Sequence, residues 1–101
     1  MLIPKSVKIG AENIQVLWFP ALTDAEGTPV WGIFDTHERV IKLDTDMYGN
    51  KGLILDTFFH EIIHVMNSVN RLKLDDDTIY RLGFMLAAFL SDNEIPTVHD
   101  G

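Results

Sequence analysis

The chain has 101 residues, 47% of them hydrophobic, with 15 Asp and Glu against 8 Lys and Arg and a net charge of −7. Such a length and apolar content describe one small folded domain, not a disordered chain. The acidic balance, with no Lys/Arg cluster, argues against nucleic acid and membrane as partners, and the lack of cysteine excludes disulfides, thiolate ligands and a cysteine nucleophile.

The opening "MLIPKSVKIG" carries no long apolar run, so it does not read as a signal peptide, and no stretch reaches membrane-spanning length. The expected location is the cytoplasm. "SVKIGAENIQVLWF" alternates apolar and polar residues around a turn at Gly10–Asn13, with Val7 and Ile9 on one arm and Ile14, Val16 and Trp18 on the other. This predicts a two-strand hairpin. Pro20, Gly27 and Pro29 mark the following loop. "VWGIFDTHERVIKLD" predicts a second pair of strands, Val30–Phe34 and Val40–Leu43, joined by the polar turn Asp35–Glu38.

Gly49, Asn50 and Gly52 then break the strand pattern, and Asn50 is placed to cap a helix running from Leu53 to about Val69. Phe58, Phe59, Ile62, Ile63, Val65 and Met66 cover most of that helix's circumference, which places it between the sheet and another helix. After a short connection, Asp75 is the expected N-cap of a second helix, with Asp76 and Asp77 favourably placed in its first turn. Ile79, Leu82, Leu86, Phe89 and Leu90 recur at helical spacing to about Ser91. The fold class expected is α+β: an antiparallel sheet of about four strands in two hairpins, followed by two packed helices on one face. The domain spans 1–93, with a flexible tail over 94–101.

The first helix contains His60-Glu61-Ile62-Ile63-His64, an H-E-x-x-H motif. Residues four apart share a helix face, so both imidazoles can reach one ion. Glu61 is offset by about 100° from His60 and about 60° from His64. It can lean over the ion without binding it, positioned to take a proton from activated water and pass it to a leaving amine. The competing reading is an amphipathic helix with two histidines in a polar crevice. Against it, the helix is otherwise apolar, and a polar island in it must be exposed in a cleft, hydrogen-bonded or metal-bound.

Catalytic zinc usually keeps three protein ligands and one open position. With Asp75 occupied as a cap, Asp76 is the candidate third ligand, against the plainer reading of a solvated helix start. Asp75 is also a candidate for supporting the ligands from behind. His37 reads as a turn residue and His99 as part of the tail. Tyr48 and Tyr80 are possible oxyanion donors that the spacing does not separate. Asp56 stands one turn before His60, either behind the site or on an exposed face. Val40–Leu43 is either an ordinary strand or an edge strand that pairs with an extended peptide.

"FFHEIIHVMN" followed by "LKLDDDTIYRLGFMLAAFLSDN" resembles small zincin-type metallopeptidases of phages and prophages, distant relatives of the ImmA/IrrE proteases. "IPKSVKIGAENIQV" and "WGIFDTHERVIKLD" resemble the strands that precede their active-site helix. The resemblance implies a metallopeptidase with one zinc per chain, His60 and His64 as ligands, Glu61 as base and a peptide or protein substrate. Relatives carry an acidic residue, usually Glu, one place into the second helix; Asp76 stands there and is shorter. Asn67 stands where relatives often have Asp, and the resemblance implies a role in orienting a ligand from behind, without charge. A zinc-binding interaction protein without catalysis is the alternative.

Overall fold

The computed structural model describes residues 3–93; the tail expected over 94–101, with His99, lies outside them. Four strands, β1 (Ser6–Ile9), β2 (Glu12–Phe19), β3 (Gly32–Asp35) and β4 (Val40–Asp44), are followed by a one-turn 3₁₀ helix (Thr45–Met47) and two helices, α1 (Lys51–Asn70) and α2 (Asp76–Asp92). The α+β architecture expected from the sequence is therefore observed. Among the described residues, no helix is long and apolar enough to cross a membrane.

β1 and β2 form the expected antiparallel hairpin, with Val7 opposite Ile14 and Ile9 opposite Glu12. The register leaves Gly10 and Ala11 as the turn, tighter than the Gly10–Asn13 expected, and Gly10 takes a left-handed φ of 60°. Ile14 and Val16, on one face of β2, are buried, while the intervening Asn13 and Gln15 are exposed.

The second half of the sheet departs from two successive hairpins. The strand order is β1-β2-β4-β3. β3 and β4 pair antiparallel, but β4 returns beside β2 in parallel, with Val16 opposite Ile41 and Trp18 opposite Leu43. The loop after β2 is long enough to carry the chain past one strand position, which leaves β3 at the edge. It is internally tied: Asp24 Oδ1 accepts from the N–H groups of Glu26 and Thr28, and Val30 N–H donates to the Leu22 carbonyl. Val30 and Trp31 belong to this loop. β4 is thus a central strand, paired on both sides, and Val40, Ile41, Leu43 and Asp44 are all buried. Val40–Leu43 is therefore not an edge strand; β3 lies at that edge of the sheet.

α1 lies across the sheet, and Phe58, Ile62 and Val65 join Ile14, Val16, Phe34, Ile41, Leu43 and Met47 in one core. Asn50 caps α1 as expected, its Oδ1 accepting from Leu53 N–H at 3.1 Å. Arg71 ends the helix in a left-handed conformation, its N–H returning to the Asn67 carbonyl. α2 packs back along the far side of α1 through Ile79, Gly83 and Ala87, which recur every four residues. Its cap is Asp75, which accepts from Thr78 N–H at 2.8 Å. α1 is therefore covered on two sides, as its all-round apolar character requires.

Asp44 ties the end of β4 to the loop after β2 and to the 3₁₀ helix. It is 5% exposed, with Oδ2 accepting from Leu22 N–H at 2.8 Å and Oδ1 from Asp46 N–H at 2.7 Å. Asp44→Ala removes a cap and leaves a buried donor without a partner. The expected loss is about 2–4 kcal/mol, read as a lower midpoint in urea denaturation.

Candidate functional site

α1 turns His60 and His64 to the same face, and their Nε2 atoms stand 3.1 Å apart. An ion about 2.0–2.1 Å from each, the usual zinc–nitrogen distance, would hold them roughly 3.3 Å apart. The pair is already close to that separation. Both imidazoles are half-buried, and burial lowers the pKa of each below its ordinary 6.5. For His60 the neighbouring His64 acts in the same direction, while the Asp76 carboxylate opposes the shift at both rings. The shift favours the neutral form, the one that binds metals.

Glu61 sits on the next face of the helix and is only 5% exposed. Burial raises its carboxyl from an ordinary 4.5 to about 7, partly offset by a hydrogen bond from the Phe34 main chain. Among the described residues it is one of two buried acidic groups, and the other, Asp44, is fully engaged in main-chain bonds.

Two glycines bring this geometry about. A Cβ at Gly32 on β3 would stand 2.6 Å from Thr57 Cγ2 and 3.4 Å from Glu61 Cγ, so the strand lies directly against α1 there. A Cβ at Gly83 on α2 would stand 2.8 Å from both the N and the Cα of His60. α1 is thus held closely at two points one turn apart, Thr57 and His60. Gly83 stands one turn after Ile79 and one before Ala87, on the buried face of α2. The role of Gly32 carried a weak signal, a glycine inside a strand pattern, which often marks close backbone approach.

The motif opens onto two hollows along the β3–α1 seam. One, of about 320 Å³, runs from Trp31 and Leu53 past Asp56, His60 and Glu61 to Tyr80 and Phe84. The other, of about 330 Å³, runs from Ile33 and Thr36 past Glu61 and His64 to Asn67 and Ser68. Glu61, His60 and Gly32 border both. A further hollow of about 430 Å³, between Leu22, Pro29, Trp31 and Asp44, contains none of the motif residues.

The remaining sequence candidates separate clearly. Asp76, at the first position of α2, lies near enough for its charge to act on both histidines. Among the described residues, however, no three His, Asp or Glu side chains are gathered as a ready ligand set. Asp75 serves as the α2 cap. Asn67 lines the second hollow and accepts from Leu74 N–H at 2.9 Å, holding the segment that leads into Asp75 and Asp76. Tyr80 borders the site, its ring 6.0 Å from that of His60, whereas Tyr48 packs against Trp18. His37 is a turn residue whose N–H donates to Asp35 Oδ1. Sequence reasoning did not select Trp31 or Phe84, because nothing in spacing alone brings residues of the loop and of α2 to one hollow.

Comparison of the chain with protein-family models, with curated proteins and with solved structures finds no match.

Gly83→Ala would ordinarily strengthen a helix by about 1 kcal/mol. Here the methyl group meets the α1 backbone, so a net destabilisation of about 1–3 kcal/mol is expected, measurable as a lower melting temperature. Glu61→Gln in metal-free protein should do the reverse. A carboxyl raised from 4.5 to about 7 favours folding while protonated and weakens it as pH rises through that window. The variant should therefore melt at nearly the wild-type temperature at pH 4.5 and above it at pH 8, by a margin on the order of 3 kcal/mol at most.

Proposed function

We propose that the chain is a zinc-dependent metallopeptidase of the zincin type. The observation that carries this reading is the convergence of the His60 and His64 Nε2 atoms beside a buried Glu61, at a cleft bordered by a free sheet edge. The donor set suits zinc: two imidazoles whose Nε2 atoms converge to 3.1 Å, and a carboxylate within electrostatic reach. His60 and His64 would hold the ion, and Asp76 would supply the third ligand. The support for Asp76 is the reach of its charge to both rings. Bound zinc supplies Lewis-acid activation of water and of a carbonyl group.

The protein's own residues do the rest. The Glu61 carboxylate accepts a proton from the attacking water and returns it to the departing amine nitrogen. A carboxyl pushed up towards neutrality by burial serves both directions of that transfer near pH 7. β3 ends the sheet order, so its outer edge, apart from the Phe34 N–H that donates to Glu61, is open to an extended peptide. Pairing there would lay the peptide along both hollows, with its scissile bond over His60 and Glu61.

One observation favours a second reading. Because Asp76 does not stand with the histidines in a gathered ligand set, a zinc-binding interaction protein without turnover is the alternative.

The two readings part on one experiment. Wild-type protein should contain about one zinc per chain by elemental analysis, and His60→Ala should lose it. Glu61→Gln should keep its zinc while hydrolysis of a mixed peptide library falls by about 10²–10⁴-fold. Zinc with no wild-type hydrolysis of any peptide supports the non-catalytic reading; undiminished hydrolysis in Glu61→Gln removes Glu61 from the mechanism.

A further inference from the structure

The hollow on the Trp31 side of the motif has walls of a distinct kind. Trp31 comes from the loop before β3, Leu53 and Asp56 from the first turns of α1, and Tyr80 and Phe84 from successive turns of α2. The three aromatic rings are 49%, 60% and 52% exposed. Large aromatic side chains left half open around one concavity are surfaces available to a ligand. At about 320 Å³ the space is at the lower end of the range for small-molecule sites, about 300–1,000 Å³. It suits one bulky side chain and not a folded partner.

Charge narrows the choice of occupant. Asp56 borders the hollow one helical turn before His60, and no Lys or Arg among the described residues forms an ion pair with it. The lining contains no Lys or Arg at all. It is an aromatic and aliphatic space with a free carboxylate at its wall, in a chain whose net charge is −7. A long side chain with an apolar stem and a cationic head matches each part. The stem packs on Leu53, the head lies over an aromatic face, and Asp56 accepts from it. A neutral aromatic side chain would fill the same space but leave Asp56 unanswered.

We infer that this hollow is a specificity pocket for an arginine or lysine side chain of the peptide, next to the bond held over His60 and Glu61. The inference rests on the peptidase reading for its substrate and names the class: peptides with a basic residue beside the scissile bond. The opposite hollow, with Thr36, Asn67 and Ser68 in its lining, provides hydrogen-bonding partners and not an aromatic cage.

The test is direct binding, so that it does not depend on turnover. Zinc-loaded Glu61→Gln protein is titrated by calorimetry with a hexapeptide carrying a central arginine, and with the same peptide carrying citrulline or phenylalanine there. The arginine peptide should bind at least ten-fold more tightly than either. Asp56→Asn should remove most of its advantage over citrulline, and Trp31→Leu should weaken the arginine peptide further than the citrulline one. Equal affinity for arginine and citrulline, or a preference for phenylalanine, overturns the pocket assignment. Cleavage of a peptide library by wild type, scored in parallel, separates the two claims. Cleavage without basic preference sinks only the pocket, whereas arginine-selective binding with no cleavage sinks only the peptidase reading.

Discussion

The site depends on one steric constraint: α1 is approached within a single turn by β3, whose Gly32 lies against Thr57, and by α2, whose Gly83 lies against the His60 backbone. Neither approach tolerates a Cβ without movement. With β3 so close, the Glu61 side chain is shut away from water, and its carboxyl rises to about 7. With α2 so close at the His60 backbone, Tyr80 borders the cleft and the Asp76 charge acts on both histidines. His60 and His64 lie on the part of α1 that neither neighbour covers fully. A cleft with half-buried neutral imidazoles and a nearly buried carboxyl arises from the spacing of three elements, not from the motif alone.

The arrangement stores a local electrostatic penalty. In the metal-free protein the burial of Glu61 opposes its ionised form, and the burial of both histidines opposes theirs. Protein interiors carry such groups where a ligand or a reaction makes use of them. The surrounding structure absorbs the penalty through a continuous apolar core on the sheet side of α1 and through main-chain capping by Asn50, Asp75 and Asp44. Ion pairs add little here, because Arg39–Glu12 and Lys42–Asp35 are partly solvated.

Much of this was legible in the sequence, for identifiable reasons. Strand alternation in "ENIQVLWF" and the caps at Asn50 and Asp75 are local signals, and the structure obeys them. The all-round apolar character of α1 correctly placed it between two layers. The misreading was topological. Two consecutive strand pairs in sequence look like two hairpins, and nothing local in "VIKLD" reveals that β4 enters between β2 and β3, parallel to β2. Its burial on both faces was a weak hint that Lys42 interrupts. The motif residues were legible because helical spacing alone brings His60 and His64 together. Trp31, Phe84 and the contact of Gly32 with α1 were not, because they depend on where a loop and two other elements dock. Asp76 lies between these cases: its place on α2 was expected, but its approach to the histidines depends on how α2 is seated.

The central claim is that the histidine pair is half of a zinc centre completed by a carboxylate. X-ray absorption at the zinc edge on purified protein tests it most directly. Two imidazole nitrogens at about 2.0–2.1 Å are expected, with oxygen ligands in the remaining positions, and weaker zinc retention in Asp76→Ala. A spectrum without imidazole scattering, or protein that takes up no zinc when the metal is supplied, would contradict it.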